Sequence, residues 1–166
     1  DAADPLAGEA FAVRATDSDG SVSLTDTLKV TVLDDAPTAV DDLARTVAED
    51  AAGTISGNVM LNDTQGADSA VVTSVVVNGV AVAVTLAGTT SYSNANGAYT
   101  FTSAGAWTFD PAPGLPNNVT PVDASFSYTI TDGDGDPSSA VQPISVTDGA
   151  LPSGGDTASL SVDDQN

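Results

Sequence analysis

The chain has 166 residues, 41% of them apolar, which suffices for one ordinary domain core and is short for two. Its 23 Asp and Glu face only Arg14, Lys29 and Arg45, a formal charge of -20, which excludes a binder of the nucleic-acid backbone, since that needs clustered Lys and Arg. With no Cys and no His there is no disulfide and no thiolate or imidazole metal site, so divalent cations held by oxygen ligands are the expected way to relieve the carboxylate repulsion.

Phe11, Val13 and Ala15 alternate with polar residues, as do Leu28, Val30 and Val32, and a period of two predicts strands with one buried face. Further strands are expected over residues 54–61, 70–77, 80–86, 98–102 and 106–110, then around Phe126, Tyr128 and Ile130, and over 141–147. Gly, Asn, Asp and Pro clusters between them carry the chemistry of tight turns, and no stretch has a capped helical period. Short strands at regular spacing, rich in Thr and Val, predict an all-β antiparallel sandwich. Trp107 and Phe109 should share one side of a strand and fill the core with Tyr99 and Phe101. The compositional pattern of a disordered acidic tail does not fit these alternating runs. No apolar run approaches the ~20 residues that span a bilayer, and no basic-then-apolar leader stands at Asp1, so a soluble fragment with no direct membrane insertion is expected.

An internal repeat organises the chain. Residues 11–20 (FAVRATDSDG) match residues 126–135 (FSYTITDGDG), and the Val30-Thr31-Val32 ending recurs as Ile144-Ser145-Val146. The offset stays at 114 to 115 residues, a domain-sized period. The expected division is residues 1–33 as the closing strand pair of a preceding repeat, 34–148 as one complete domain, and 149–166 as linker and start of the next. A two-stranded piece is marginal alone, so residues 1–33 should pack on something, exchange strands with another chain, or stay loose.

Three stretches in order carry a family resemblance: residues 58–63 (NVMLND), 96–111 (NGAYTFTSAGAWTFDP) and 125–135 (SFSYTITDGDG). Together they resemble the VCBS and cadherin-like repeats of the extender regions of RTX adhesins. The resemblance implies an immunoglobulin-like, cadherin-like β-sandwich repeated many times, with calcium at the junctions between adjacent copies. It also implies type I secretion to the bacterial cell surface, where an extracellular rod would serve cell adhesion or biofilm formation.

The residues support the calcium expectation on their own. In such a sandwich the entry linker, the loop after the second strand and the final hairpin loop meet at one pole. They carry Asp34, Asp35, Asp41 and Asp42, then Asn62, Asp63 and Asp68, then Asp132, Asp134 and Asp136. Calcium accepts 6 to 8 oxygens in flexible geometry, and alternating Asp and Gly lets a loop curl around it. The plain alternative is that Asp-Gly pairs only make hairpin turns. Residues 132–143 open like an EF-hand loop, but Pro137 and Pro143 occupy the positions of its Gly and Glu, which excludes that motif. The nonapeptide of a parallel β-roll is not repeated either. At the opposite pole Glu49, Asp50 and Asp148 are candidates for a second junction site. Asp17 and Asp19 occupy the equivalent loop of the first segment, where a site would be incomplete.

Catalysis finds no support: there is no nucleophile elbow, no phosphate loop, and no carboxylate pair set apart as acid and base. An isopeptide-stapled module is excluded for the complete unit because the only Lys is Lys29. A ligand-binding adhesin domain for sugar or peptide is the competing reading, and such a domain would interrupt the repeat pattern.

Overall fold

The structure, a computed structural model, describes residues 6–32, 35–51, 53–117 and 119–149. The alternating runs become strands. In chain order they are β1 (Leu6–Val13), β2 (Asp26–Val32), β3 (Arg45–Ala48), β4 (Ile55–Asn58), β5 (Ala70–Val77), β6 (Val80–Ala83) and β7 (Thr90–Asn94). There follow β8 (Gly97–Phe101), β9 (Ala106–Pro111), β10 (Val122–Asp123), β11 (Phe126–Asp132), β12 (Pro137–Gln142) and β13 (Ile144–Thr147). Among the described residues there is no α-helix, only a 3-10 turn at Val59–Leu61.

Two four-stranded antiparallel sheets, ordered β12-β11-β5-β6 and β4-β9-β8-β7, face each other. Trp107 and Phe101 of the second sheet meet Phe126 of the first edge-on, with ring centroids 5.6 and 5.0 Å apart. Every second residue of β11 points into this core: Phe126, Tyr128 and Ile130 are buried, as are Tyr99, Trp107 and Phe109 opposite. Alternation is therefore what decides the inside of the sandwich. Asn78 and Gly79, at φ 49° and 77°, make the two-residue turn between β5 and β6 whose twist suits a hairpin.

A smaller sheet, β10-β13-β3, closes the side, with β3 parallel to β13. The expected strand over 141–147 is divided at Pro143, which has no N–H to give a ladder; β12 pairs with β11 before it, and β13 joins β10 and β3 after it. The expected strand over 54–61 ends at Asn58, whose side chain accepts from the Met60 N–H at 2.8 Å and starts the 3-10 turn. The strand expected over 80–86 stops at Ala83, while β3, β7 and β10 had no alternating apolar signal.

Among the described residues β1 and β2 pair with each other and with no other strand. Their described side chains are exposed, including Phe11, Val13, Leu28 and Val30.

Candidate metal centre

The loop joining β11 to β12 is built around one carboxylate. Asp132 Oδ1 accepts from the backbone N–H groups of Gly135 at 3.0 Å and Asp136 at 2.7 Å, while the Asp132 N–H donates to the Asp136 carbonyl at 3.2 Å. This curls the chain so that carboxylate oxygens of Asp132, Asp134 and Asp136 lie within 4.8 Å of one another. Asp132 is only 9% exposed, and its second oxygen, Oδ2, is buried with no hydrogen-bond partner among the described residues. Burial works to raise the Asp132 carboxyl. Hydrogen bonding with Asp134 and from the Asp136 and Gly135 backbone outweighs it and holds the group below its usual range.

The entry segment and the loop after the 3-10 turn come to the same end. Thr38 and Thr64 exchange backbone hydrogen bonds at 2.8 and 2.9 Å, and Ala39 N–H donates to Ser138 Oγ at 2.9 Å. Gly66, at φ 75°, lies so near the entry segment that a Cβ there would fall 2.5 Å from the Asp35 carbonyl oxygen. A Cβ on Gly133 would stand 3.4 Å from both the Cβ and the carbonyl oxygen of Asp68. Asp68 therefore borders the Asp132 loop, Asp35 stands against Gly66 in the stretch that leads to Asp68, and Asp34 lies outside the described residues.

Asp41, Asp42 and Asp63 gather elsewhere, because the entry segment runs on beside β12. Asp41 Oδ1 accepts from Val141 N–H at 2.8 Å, and Asp42 N–H donates to the Val141 carbonyl at 2.9 Å. Asp63 Oδ1 accepts from Val40 N–H at 2.8 Å. Asn62 Nδ2 donates to the Val40 and Asp41 carbonyls at 2.8 and 3.1 Å. Tyr128 Oη stands 3.1 to 3.3 Å from Asp63 and from the Val40 and Val59 carbonyls. Tyr128 is four residues before Asp132 on β11, about 13 Å along a strand, so this acidic group is distinct from the hairpin loop. Burial first, then the charge of Asp63, lifts the Asp42 carboxyl to about 6.

At the far end β3 and β13 finish together, since they run parallel. Glu49 N–H donates to the Thr147 carbonyl at 3.0 Å, and Glu49 Oε2 accepts from Leu115 N–H at 2.6 Å. The Asp50 carboxylate packs against the Cα of Gly149, leaving no room for a Cβ there. Asp148 is exposed beside them. In the β1–β2 hairpin, Asp17 Oδ1 accepts from Asp19 and Ser21 N–H at 3.1 Å each. Hydrogen bonding with Asp17 and then with Ser21 holds the Asp19 carboxyl near 2.

Residues 34–147 match the family described as the bacterial Ig domain. The chain belongs to that family. No curated protein matches it. The bacterial Ig domain here supplies only oxygen donors at the Asp132 loop, the set a hard cation takes. Ligands on opposite sides of a calcium ion, each 2.3–2.6 Å away, are about 5 Å apart, so carboxylate oxygens that all lie within 4.8 Å of one another are close enough to share one ion. Asp132 Oδ2, without a hydrogen-bond partner among the described residues, is open to a cation, and the residues present fit calcium.

Sequence reasoning did not single out Tyr128 as the partner of Asp63. The signal was there in the alternation that buries Tyr128, because a buried phenol needs an acceptor.

Proposed function

We propose that this bacterial Ig domain is a structural extender of a bacterial surface protein, one unit of a tandem array of adjacent copies. In this reading calcium at the inter-domain junctions stiffens the array and projects a ligand-binding tip away from the cell. The domain itself has a mechanical role and no catalytic one. The observation that carries the reading is the Asp132, Asp134 and Asp136 cluster, with Asp132 Oδ2 buried and without a hydrogen-bond partner among the described residues. Asp68 borders it, and the entry segment pairs with the neighbouring loop through Thr38 and Thr64, so an ion held there would lie near the point where the chain enters.

Calcium when bound would supply a positive centre that turns mutual carboxylate repulsion into attraction. Asp132 is held in place by its own loop, and Asp134 and Asp136 follow at alternate positions, so the chain offers a curved, acidic cradle before any ion arrives. Extracellular modules bind calcium at Kd ~0.1–1 mM. Such a site would be filled outside the cell and largely empty in the cytosol, which suits export of an unfolded chain.

Thermal unfolding in EDTA, in about 10 mM calcium and in about 10 mM magnesium tests this. Ligand linkage at those affinities gives roughly 1.4–2.7 kcal/mol, a rise in Tm of about 5–10 °C for a domain of this size. Magnesium should give much less. Identical melting curves in EDTA and calcium would sink the calcium reading.

A further inference from the structure

The β1–β2 hairpin repeats the geometry of β11–β12 in detail, although one is exposed and the other forms part of a sandwich. Phe11 pairs with Leu28, Ala12 with Thr27 and Val13 with Asp26. At the 115-residue offset on the first strand and 114 on the second, these are the pairs Phe126 with Gln142, Ser127 with Val141 and Tyr128 with Ala140. The bridge of Thr16 to Val22 likewise repeats the pairing of Thr131 with Pro137. One additional residue in the first copy, between Val22 and Asp26, absorbs the change of offset.

The loops close alike. Asp17 N–H donates to the Ser21 carbonyl at 3.0 Å where Asp132 N–H donates to that of Asp136 at 3.2 Å. Asp17 Oδ1 accepts from Ser21 N–H at 3.1 Å where Asp132 Oδ1 accepts from Asp136 N–H at 2.7 Å.

What differs is the cover. Phe126, Tyr128, Gln142 and Ile144 are 1–3% exposed beneath the facing sheet, whereas their counterparts Phe11, Val13, Leu28 and Val30 are 48, 41, 53 and 42% exposed. These four share one face, because Phe11 lies directly opposite Leu28 and the others follow at a spacing of two. Glu9 and Asp26 stand at its diagonal corners. A two-stranded ribbon with an uncovered apolar face is marginal in water.

We infer that the face formed by Phe11, Val13, Leu28 and Val30 is a docking surface, and that its occupant is an immunoglobulin-type sheet that lacks its own closing hairpin. That sheet would present inward aromatic residues in the manner of Tyr99, Phe101, Trp107 and Phe109. The matching register selects this occupant: a sheet built like β4-β9-β8-β7 meets on β1–β2 the side-chain pattern it meets on β11–β12. The hairpin then completes a sandwich, and the loop bearing Asp17 and Asp19 comes to that sandwich's pole.

The test joins a second copy of residues 34–115 ahead of Asp1 in the full chain, the junction that the repeat offset dictates. A control joins residues 34–148 instead, so that the added unit brings its own hairpin. Amide exchange of Phe11, Val13, Leu28 and Val30 is followed in EDTA, which keeps the result independent of the calcium reading. Protection should rise about 100-fold or more in the first fusion, as for strands brought into a cooperative core, and stay low in the control and in the original chain. A first fusion with the hairpin still unprotected overturns the proposal. So does equal protection in both fusions, which would mean that something other than an incomplete sandwich covers the face.

Discussion

Tyr128 Oη lies 3.1 Å from Asp63 Oδ1 and 3.1 Å from the Val40 carbonyl oxygen, so one phenol joins β11, the turn after β4 and the entry segment. Burial first, and then the charges of Asp42 and Asp63, push the phenol well above its usual range, which keeps it a donor at every ordinary pH. Tyr128→Phe removes that donor while keeping the ring. Whichever of the Asp63 carboxylate and the Val40 and Val59 carbonyls takes the single phenol proton then loses it at a largely closed site, and stability should fall by about 1–3 kcal/mol. Urea unfolding measures this as a lower midpoint with an unchanged slope. A loss below about 0.5 kcal/mol would show that the hydroxyl does not hold the entry segment.

Asp42 gives a pH dependence of unusual sign. Its folded pKa, about 6, is above the ordinary carboxylate value of 3.8, so the folded state holds the proton more tightly than the unfolded chain. Its contribution is therefore favourable at low pH and is lost as pH rises from about 4 through 6. Asp42 remains partly in water, which limits the effect to about 1 kcal/mol or less. Asp42→Asn in EDTA should be more stable than the parent at pH 7 and gain little at pH 4. A difference between the two proteins that stays flat across that window would contradict the burial of this group.

Much of the sandwich was legible because its core strands alternate strongly. The run over 70–77 emerged as β5 with the same limits, and Trp107 and Phe109 entered the core together as their spacing of two requires. β7 (Thr90–Asn94) has Tyr92 as its one large apolar ring among Thr, Ser and Asn, β10 has two residues, and β3 is parallel to β13. Each is a strand because a neighbour pairs with it, and no local period announces that. The acidic groups divide for a related reason. The Asp132 loop is local and its turn chemistry is written in Asp-Gly-Asp-Gly-Asp. The place of Asp41 depends on the entry segment lying beside Val141, a register that only the folded sheet defines.

Asp132→Asn separates turn from cation site. The amide retains an oxygen to accept from Gly135 and Asp136, so stability in EDTA should change by no more than about 0.5 kcal/mol, as for a substitution that keeps its bonds. The buried Oδ2 is replaced by a nitrogen that cannot ligate a hard cation. The rise of about 5–10 °C expected in calcium should therefore largely vanish, while Asp50→Asn at the far pole keeps it. Scanning calorimetry of the three proteins with and without calcium decides between these outcomes; an undiminished rise in Asp132→Asn would place the ion elsewhere.

Glu49 acts as an anchor through its 2.6 Å acceptance from Leu115 N–H, a bond that ties the end of β3 to the segment before β10. Glu49→Ala should lower stability by about 1 kcal/mol in EDTA, with Glu49→Gln recovering most of it because its carbonyl oxygen still accepts. If instead both variants are neutral in EDTA and differ from the parent only in calcium, the carboxylate serves a cation and the backbone bond is incidental.

Gly57 sits directly opposite Trp107 across β4 and β9, and a Cβ there would fall 2.8 Å from the indole atoms Cε2, Cζ2 and Nε1. The indole lies over the glycine, which explains a glycine inside a strand that otherwise weakens it. Trp107 is 2% exposed and packed edge-on against Phe126, so it has no easy rotamer to retreat to. Gly57→Ala should cost about 1–3 kcal/mol by overpacking and shift the emission of the single tryptophan. Trp107→Phe should cost about 1–3 kcal/mol alone, from the range for altered core packing. The pair should be less damaging than the sum, because the smaller ring leaves space for the added methyl. A double-mutant cycle by urea unfolding reads this coupling directly. Strict additivity would mean that the indole does not rest on Gly57 in solution.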